Sequence, residues 1–346
     1  QNHLWQMVNI ILKQPLSAAL LKTPPSLKNF KKRREILKTL DEFLKIPNSE
    51  KDEDVIGYYR KMIDHALDRI EREEVKIGLT IWKLYSSGFI IKTPKTTFAL
   101  DLCEGPNKDI YGKENVPFSF TLQQREKIAK LVDYSFHTHH HYDHISYQMV
   151  KELWGQKKKI IVTQQNKDCW KKEPFAEDLT VPNDKALFKR GDLKARVYHG
   201  WQHMNPETDD ETRFYHFLSE PFEVQCNAYL ITTDNNISIL VKGDIFDGDE
   251  FSLYLKELKK SGAKIDLYLS STCTARGKDI IKETERLFDP FFIPAHEWEF
   301  THRKPDEEGA ATQSYSELCS MFGKSALRGK ATVLSWGERL HYNPKI

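Results

Sequence analysis

The period of the apolar positions changes once along this chain, near residue 75. Before that point they recur at helical spacing. The stretch Leu4 to Leu21 carries a first apolar stripe, which Pro24-Pro25-Ser26 interrupts, leaving Ser26 placed to cap the next helix. From Leu27 to Leu44, residues Leu27, Phe30, Ile36, Leu37, Leu40, Phe43 and Leu44 form a broad stripe. Pro47-Asn48-Ser49 breaks it again. Asp54 to Glu74 then puts Val55, Tyr58, Tyr59, Met62, Ile63, Ala66, Leu67 and Ile70 on one face. Residues 1–74 contain a single glycine, Gly57. Within this helical segment the basic run Lys28, Lys31, Lys32, Arg33 and Arg34 is followed by Glu35, Asp41 and Glu42, so it reads as a solvated helix face.

After residue 75 the pattern shortens to strands and turns. Ile77 to Tyr85, Phe89 to Thr93 and Thr96 to Leu102 predict three strands joined by Ser86-Ser87-Gly88 and a turn at Pro94. A helix over Thr121 to Leu131 and a buried strand in the run Lys130 to Phe136 follow. Ser146 to Leu153 reads as helix, Lys159 to Thr163 and Lys194 to Tyr198 as strands. Pro221 to Thr233 and Asn236 to Val241 read as a hairpin around Asp234-Asn235. Glu250–Ser261, Asp279–Phe288 and Ala310–Phe322 predict helices that alternate with strands at Ile265–Ser270, Phe291–Pro294 and Ala331–Leu334. Hairpins first, then alternating strand and helix, fit two sheets with helices outside. The sequence has no internal repeat, though two halves of such an arrangement can be related in structure alone.

Composition narrows the class. The chain of 346 residues is 39% hydrophobic and 29% charged, and 52 basic residues nearly balance 50 acidic ones for a net charge of +2. That balance gives no footprint for nucleic acid, and no apolar run approaches the ~20 residues of a membrane helix. The five cysteines, Cys103, Cys169, Cys226, Cys273 and Cys319, are scattered, which predicts buried thiols rather than a disulfide framework. The first residue is Gln1, which leans toward a processed, exported chain over a cytoplasmic one; oligomeric state is not encoded in any visible pattern.

The densest chemistry is His137-Thr138-His139-His140-His141-Tyr142-Asp143-His144, which gathers five of the chain's 13 histidines. Imidazole and carboxylate together suit zinc, iron or manganese. The cluster follows an apolar strand, and alternate residues of an extended segment point the same way. His139, His141 and Asp143 therefore face one pocket, with His144 joining as the loop turns. His140 points away by the same alternation, and His137 is not assigned as a ligand.

His-x-His-x-Asp-His after a strand resembles the first metal motif of the metallo-β-lactamase superfamily of metal-dependent hydrolases. The resemblance covers residues 75 to 346 and implies an α/β fold, the αββα four-layer sandwich, with residues 1–74 as a helical segment packed on it or on a partner. It also implies three more ligands downstream. A mid-chain histidine is found in Tyr198-His199-Gly200-Trp201-Gln202-His203, where His203 is favoured and His199 is the alternative. An aspartate after an apolar strand is found at Gly243-Asp244, and a histidine in Pro294-Ala295-His296. The Pro-x-His form is similar to the branch with L-ascorbate-6-phosphate lactonase and N-acylphosphatidylethanolamine-type phosphodiesterases. The successive gaps are 59, 41 and 52 residues from His144 through His203 and Asp244 to His296.

The resemblance implies two divalent ions, zinc first, with manganese or iron as alternatives. His139, His141 and His203 would hold one ion, Asp143, His144 and His296 the other, with Asp244 between them. Such a centre activates a water to attack an ester, phosphodiester or lactone bond in a small or lipid-like substrate, and Asp143 would serve as proton acceptor and donor. The competing classes are an RNase Z-like nuclease, which the charge balance disfavours, and a metal-binding interaction protein without catalysis. The acidic and aromatic stretch 205–220 and the glutamates Glu297 and Glu299 read as surface. Trp201, Tyr142, Trp298, Phe300, His302 and Arg303 read as pocket walls or core, and Ser271-Thr272-Cys273-Thr274 offers hydroxyls behind the ligands, with Cys273 not itself a ligand.

Overall fold

The structure, a computed structural model, describes residues 16–105, 118–203, 223–245, 248–272, 275–300, 305 and 312–344; of Leu27, Arg190, His203, Glu223, Gly248, residues 275–278 and Leu327 it describes the backbone alone. Among the described residues, twelve strands form two six-stranded sheets. The first takes β1 (Leu79–Lys83), β2 (Phe89–Lys92), β3 (Thr97–Leu100), β4 (Tyr134–Phe136), β5 (Lys159–Ile161) and β12 (Arg339–Tyr342) in the order β12-β1-β2-β3-β4-β5. The second takes β6 (Leu187–Arg190), β7 (Leu193–His203), β8 (Glu223–Thr232), β9 (Ser238–Val241), β10 (Leu267–Ser271) and β11 (Phe291–Ala295) in the order β11-β10-β9-β8-β7-β6.

The sheets repeat one scheme. In the first, β1, β2 and β3 pair antiparallel, then β4 and β5 add in parallel, with β12 antiparallel on the outer side of β1. In the second, β7, β8 and β9 pair antiparallel, β10 and β11 add in parallel, and β6 lies antiparallel on β7. The halves are thus related in topology without any repeat in sequence.

Alternation along the strands builds two apolar layers. Leu79, Ile81, Phe89, Ile91, Phe98 and Leu100 of the first sheet share one core with Leu193, Val197, Tyr229, Ile231, Ile239 and Leu267 of the second, so these faces meet. The opposite positions, such as Trp82, Ile90, Ala99, Leu230, Leu240 and Tyr268, pack with the helices. The result is the αββα sandwich. Its helices are α1 (Phe30–Leu44), α2 (Glu53–Arg72), α3 (Leu122–Leu131), α4 (Tyr147–Gly155), α5 (Gln164–Cys169), α6 (Gly248–Lys260), α7 (Ala275–Phe288), α8 (Tyr315–Met321) and α9 (Gly323–Leu327). None among the described residues is long and apolar enough to cross a membrane.

The helix starts follow local chemistry. Ser26 Oγ accepts from Asn29 N at 3.3 Å in the 3₁₀ turn that leads into α1. Asp52 caps α2, and Thr121 and Gln124 form a reciprocal capping box on α3. All eight apolar residues expected on the face of α2 are buried. Its Tyr59 stacks on Phe118 at 4.4 Å and meets Tyr85 and Trp336 edge-on. Of the first expected helix, the described part is helical over 16–22. Cys103, Cys226 and Cys319 are buried free thiols, and Cys169 is half-buried.

Several elements differ from the pattern. β6, α5 and β12 carry no clean apolar period; β6 and β12 are edge strands, and edge strands tolerate polar residues. Ala331–Leu334 is not a strand beyond one bridge from Ala331 to Phe292, because Val333 and Leu334 fill the core as an irregular segment. The strand before the histidine cluster is confined to Tyr134–Phe136, since α3 claims the residues up to Leu131.

The basic run is not wholly solvated either. Lys28, Lys31, Lys32 and Arg34 are exposed, but Arg33 is buried, with its guanidinium paired to both oxygens of Glu338 at 2.7 and 2.8 Å. Nη1 and Nη2 also donate to the carbonyls of Thr23 and Val333 respectively. Burial opposes the Arg33 charge, but Glu338 outweighs it and raises its pKa. Breaking one side of such a pair leaves a buried charge and costs about 3–5 kcal/mol. Arg33→Met is therefore expected to lose about that much stability, and Arg33→Met with Glu338→Gln distinctly less, as read from urea unfolding midpoints. Equal losses in the two variants would contradict this account.

Candidate metal centre

The carboxyl ends of β3, β4, β9 and β11 open on one edge of the sandwich, where ligands collect in sheets of this kind. β4 delivers the loop from His137 to Ser146. The β9 end turns at Gly243, which has φ 61°; a Cβ there would lie 2.7 Å from Thr138 Cβ and 2.9 Å from Cys226 Sγ. Glycine is required for this close approach, and it brings Asp244 against the β4 loop. His296 follows directly on β11, and its φ of 74° is unusual for a residue with a side chain. Trp298 follows with φ 44°. Such conformations cost about 1–3 kcal/mol each and persist only where surroundings enforce them.

Two donor groups form. In one, His139, His141 and Asp143 bring ligand atoms within 4.8 Å of one another; in the other, Asp143, His144, Asp244 and His296 do so. Asp143 belongs to both. His296 Nε2 stands 2.8 Å from Asp143 Oδ2 and 3.3 Å from Asp244 Oδ2. His144 Nε2 is 3.3 Å from Asp244 Oδ2, 3.5 Å from Asp143 Oδ2 and 2.9 Å from His296 Nε2. Exposure is 0–2% for these residues and 9% for Asp244, the most accessible of them.

The donor set fits a divalent cation. Ring nitrogens and carboxylate oxygens converge in a dry interior, the arrangement found around zinc and its neighbours. His139 Nε2 and Asp244 Oδ1 are buried without a hydrogen-bond partner, a cost that a bound cation removes.

The proton balance shows the same pressure. Burial works against a charged His144, but Asp143, Asp244 and Asp101 outweigh it and raise the imidazole to about 10. Burial works against an ionised Asp244, but His296 and His144 hold it well below the usual carboxylate range. His139 is held far below 6.5 by burial and by the charges of His144 and His141.

The remaining sequence candidates separate cleanly. His140 turns away, with Nδ1 3.0 Å from Asn166 Nδ2 and its ring edge-on to Trp170. His137 is a framework residue, bonded to Ser135 Oγ at 2.8 Å and the His144 carbonyl at 3.2 Å. Burial pushes both imidazoles down to about 4. His199 points its Nε2 at the carbonyl of Pro182, 3.0 Å away, and not at the centre. His203 ends β7 opposite Glu223, and its side chain lies outside the described residues. Residues 205–220, His302, Arg303, Cys273 and Thr274 also lie outside them.

Glu297 and Glu299 are not surface residues. Both are at most 1% exposed, Glu297 paired to the buried Lys83 at 3.0 Å and Glu299 accepting from Tyr85 Oη at 2.9 Å. Burial raises Glu297 to about 7 and lowers Lys83. Trp298 and Phe300 are core, whereas Trp201 is exposed. Thr272 is buried and bonds Gln313, which in turn donates to the His296 carbonyl.

Two residues behind the ligands carry no flag in the pattern as read above. Asp101 accepts from His144 Nδ1 at 2.8 Å and from Thr138 N and Oγ1 at 2.7 and 2.9 Å, fixing the ring that faces Asp244. Its signal was present: an aspartate directly after the apolar strand Thr97–Leu100, as Asp244 follows Ser238–Val241. Cys226 accepts from Asp244 N at 3.3 Å and lies 3.6 Å from His139 Nδ1. Nothing local marks it.

A charged His144 must shed its proton to become a ligand. Zinc added to metal-free protein at neutral pH is therefore expected to release about one proton from this ring, and zinc affinity should rise with pH. In the metal-free chain the raised His144 stabilises the fold fully below its ordinary 6.5, and that contribution fades as pH climbs towards about 10. Proton counting in weak buffer, repeated with His144→Ala, checks the first point; an unchanged count in that variant would contradict it. His199→Ala is expected to keep full metal content and His203→Ala to lose metal, by elemental analysis.

No family model matches the chain, and no curated protein does. Solved structures do. A metallo hydrolase from the hyperthermophilic archaeon Ignicoccus hospitalis aligns at 14% identity and TM-score 0.51 over 77% of this chain and 98% of its own. A "possible metal-dependent hydrolase" from Veillonella parvula aligns at 12% and 0.51 over 77% and 100%. An isothiocyanate hydrolase from Delia radicum gut bacteria aligns at 12% and 0.53 over 76% and 99%. At such identities the likeness is one of fold: this chain has the fold of these metallo-hydrolases.

Proposed function

We propose that the chain is a metal-dependent hydrolase with a two-ion centre. His139, His141 and His203 would hold one ion and Asp143, His144 and His296 the other, with Asp244 between them. The observation that carries this reading is the pair of buried His/Asp groups sharing Asp143, assembled from strand ends far apart in sequence. Zinc fits the nitrogen-rich set best, with manganese or iron as alternatives. Bound there, the ions supply Lewis acidity and lower the pKa of a water to about 7, making a nucleophile for an ester, phosphodiester or lactone.

The chain's own residues do the rest. Asp101 holds His144 in one orientation through Nδ1, leaving Nε2 for the centre. Thr138 Oγ1 lies 3.0 Å from His139 Nδ1 and steadies that ring in the same way. Asp143 Oδ2, at the junction of the groups, takes a proton from the attacking water and returns it to the leaving oxygen. Burial of the groups keeps the medium poorly polarisable, which strengthens every charge interaction in it. The balanced charge of the chain supports a small or lipid-like substrate over an extended nucleic acid.

The test is metal analysis followed by turnover on a phosphodiester, a carboxyl ester, a lactone, an isothiocyanate and an RNA hairpin. Two ions per chain and hydrolysis of one small substrate are expected. His139→Ala and Asp244→Ala should each lower metal content and reduce kcat/KM by at least about 10³-fold, of the order seen when catalytic groups are removed. Full turnover by chelator-treated protein would end this reading, and cleavage of RNA alone would replace it with the nuclease.

A further inference from the structure

The backbone at His296 is left-handed, and so is that at Trp298 two residues on. Neither residue is glycine, so something outside this short loop must hold it. Part of the hold is local. The His296 carbonyl accepts from Thr312 Oγ1 at 2.6 Å and Gln313 N at 3.3 Å, while Trp298 N donates to the Gln313 carbonyl at 3.1 Å. Glu299 N donates to Thr312 Oγ1 at 3.0 Å. The loop at His296 is thereby fastened to the segment 312–316. That second segment is itself irregular until α8 begins, and Gln313 ties it to Thr272 just beyond β10.

A further anchor comes from α1, in the outer helical layer. Asp41 is buried at 2% exposure; burial raises its carboxyl, and the hydrogen bonds it accepts work the other way. Its Oδ1 accepts from Trp298 Nε1 at 2.7 Å and from Tyr315 N at 2.9 Å. Its Oδ2 accepts from Ser316 N at 2.8 Å and from Ser316 Oγ. One carboxylate thus grips the Trp298 loop and the first turn of α8 at once, 257 positions from Trp298 in sequence. Hydrogen bonds to a charged acceptor are roughly twice as strong as neutral ones, which suits a clamp on a strained backbone.

We propose that Asp41 is a positioning residue for the metal centre, holding His296 in the left-handed conformation that turns its ring toward Asp143 and Asp244. The outer helix α1 is then part of the centre's framework. The consequence for metal rests on the reading of His296 as a ligand; the clamp itself does not.

The experiment therefore has two arms. In metal-free protein, Asp41→Ala should speed amide hydrogen exchange in a peptide covering 296–300 by about tenfold or more, the factor expected when a charged hydrogen-bond anchor is lost. In zinc-loaded protein, Asp41→Ala should weaken the more loosely held ion about 10- to 100-fold by chelator competition, the usual loss for residues behind a ligand. Leu37→Ala, in the same helix and equally buried, is the control for general destabilisation: it should lower Tm without raising exchange at 296–300 or weakening either ion. If Asp41→Ala does not fold, Trp298→Phe removes one arm of the clamp and keeps the ring, and should raise exchange at 296–300 more than Leu37→Ala does. Unchanged exchange in Asp41→Ala, or an equal rise in Leu37→Ala, would overturn the clamp. Wild-type protein holding fewer than two ions would instead overturn the two-ion reading, with the exchange arm still deciding the role of Asp41.

Discussion

Two carboxylates, Asp143 and Asp244, are held out of water against the imidazoles of His144 and His296, and this buried charge balance governs the construction of the whole edge. A lone ionised carboxylate in an interior is too costly to persist. Here each has two imidazole partners within 3.5 Å, and the carboxylates raise the His144 ring to about 10. The partners must come from fixed directions, and a sheet whose parallel strands all end on one edge supplies them. The αββα scaffold is a means of bringing four strand ends to the same few ångströms while keeping water away from their sides.

The charge balance also explains the polar framework behind the ligands. His144 can face Asp244 only because Asp101 fixes its other nitrogen, and Asp101 is in turn held by Thr138. Lys83 and Glu297 form another buried pair directly beside His296, and Lys83 also reaches the carbonyl of Ser86, whose own partner is His296 N. Arg33 and Glu338, and Asp41 with its donors, extend the same construction outward to the helical layer. These buried polar groups are therefore linked in networks, which stiffen the framework around the ligands. Left-handed backbone at His296 and Trp298 is tolerable inside a frame of that kind.

The site was legible in sequence to the extent that its signals were local. Period-2 alternation put His139, His141 and Asp143 on one side and His140 on the other, and the rings follow that rule. The apolar strand before Gly243-Asp244 and the one before His296 were visible for the same reason. The strand preceding the cluster was read too long because its apolar run merges with the end of α3, and the edge strands β6 and β12 were passed over because half of an edge strand faces water. Glu297 and Glu299 were read as surface because a glutamate beside a ligand has no local mark of burial; only Lys83 and Tyr85, more than 200 positions away, make them interior.

By itself the sequence determined the alternation, the caps and the turns, because these depend on a residue and its nearest neighbours. It therefore determined the strand ends and most of the residues that gather there. The tertiary structure decided which of those residues face one another, that Asp101 and Cys226 stand behind the ligands, that His199 turns to Pro182, and that Arg33 and Asp41 leave the solvent face of their helix. The physical reason is common to all of these. Whether a charged or polar group can be buried depends on a partner with the right atom at the right distance, and for Arg33 that partner lies 305 residues along the chain.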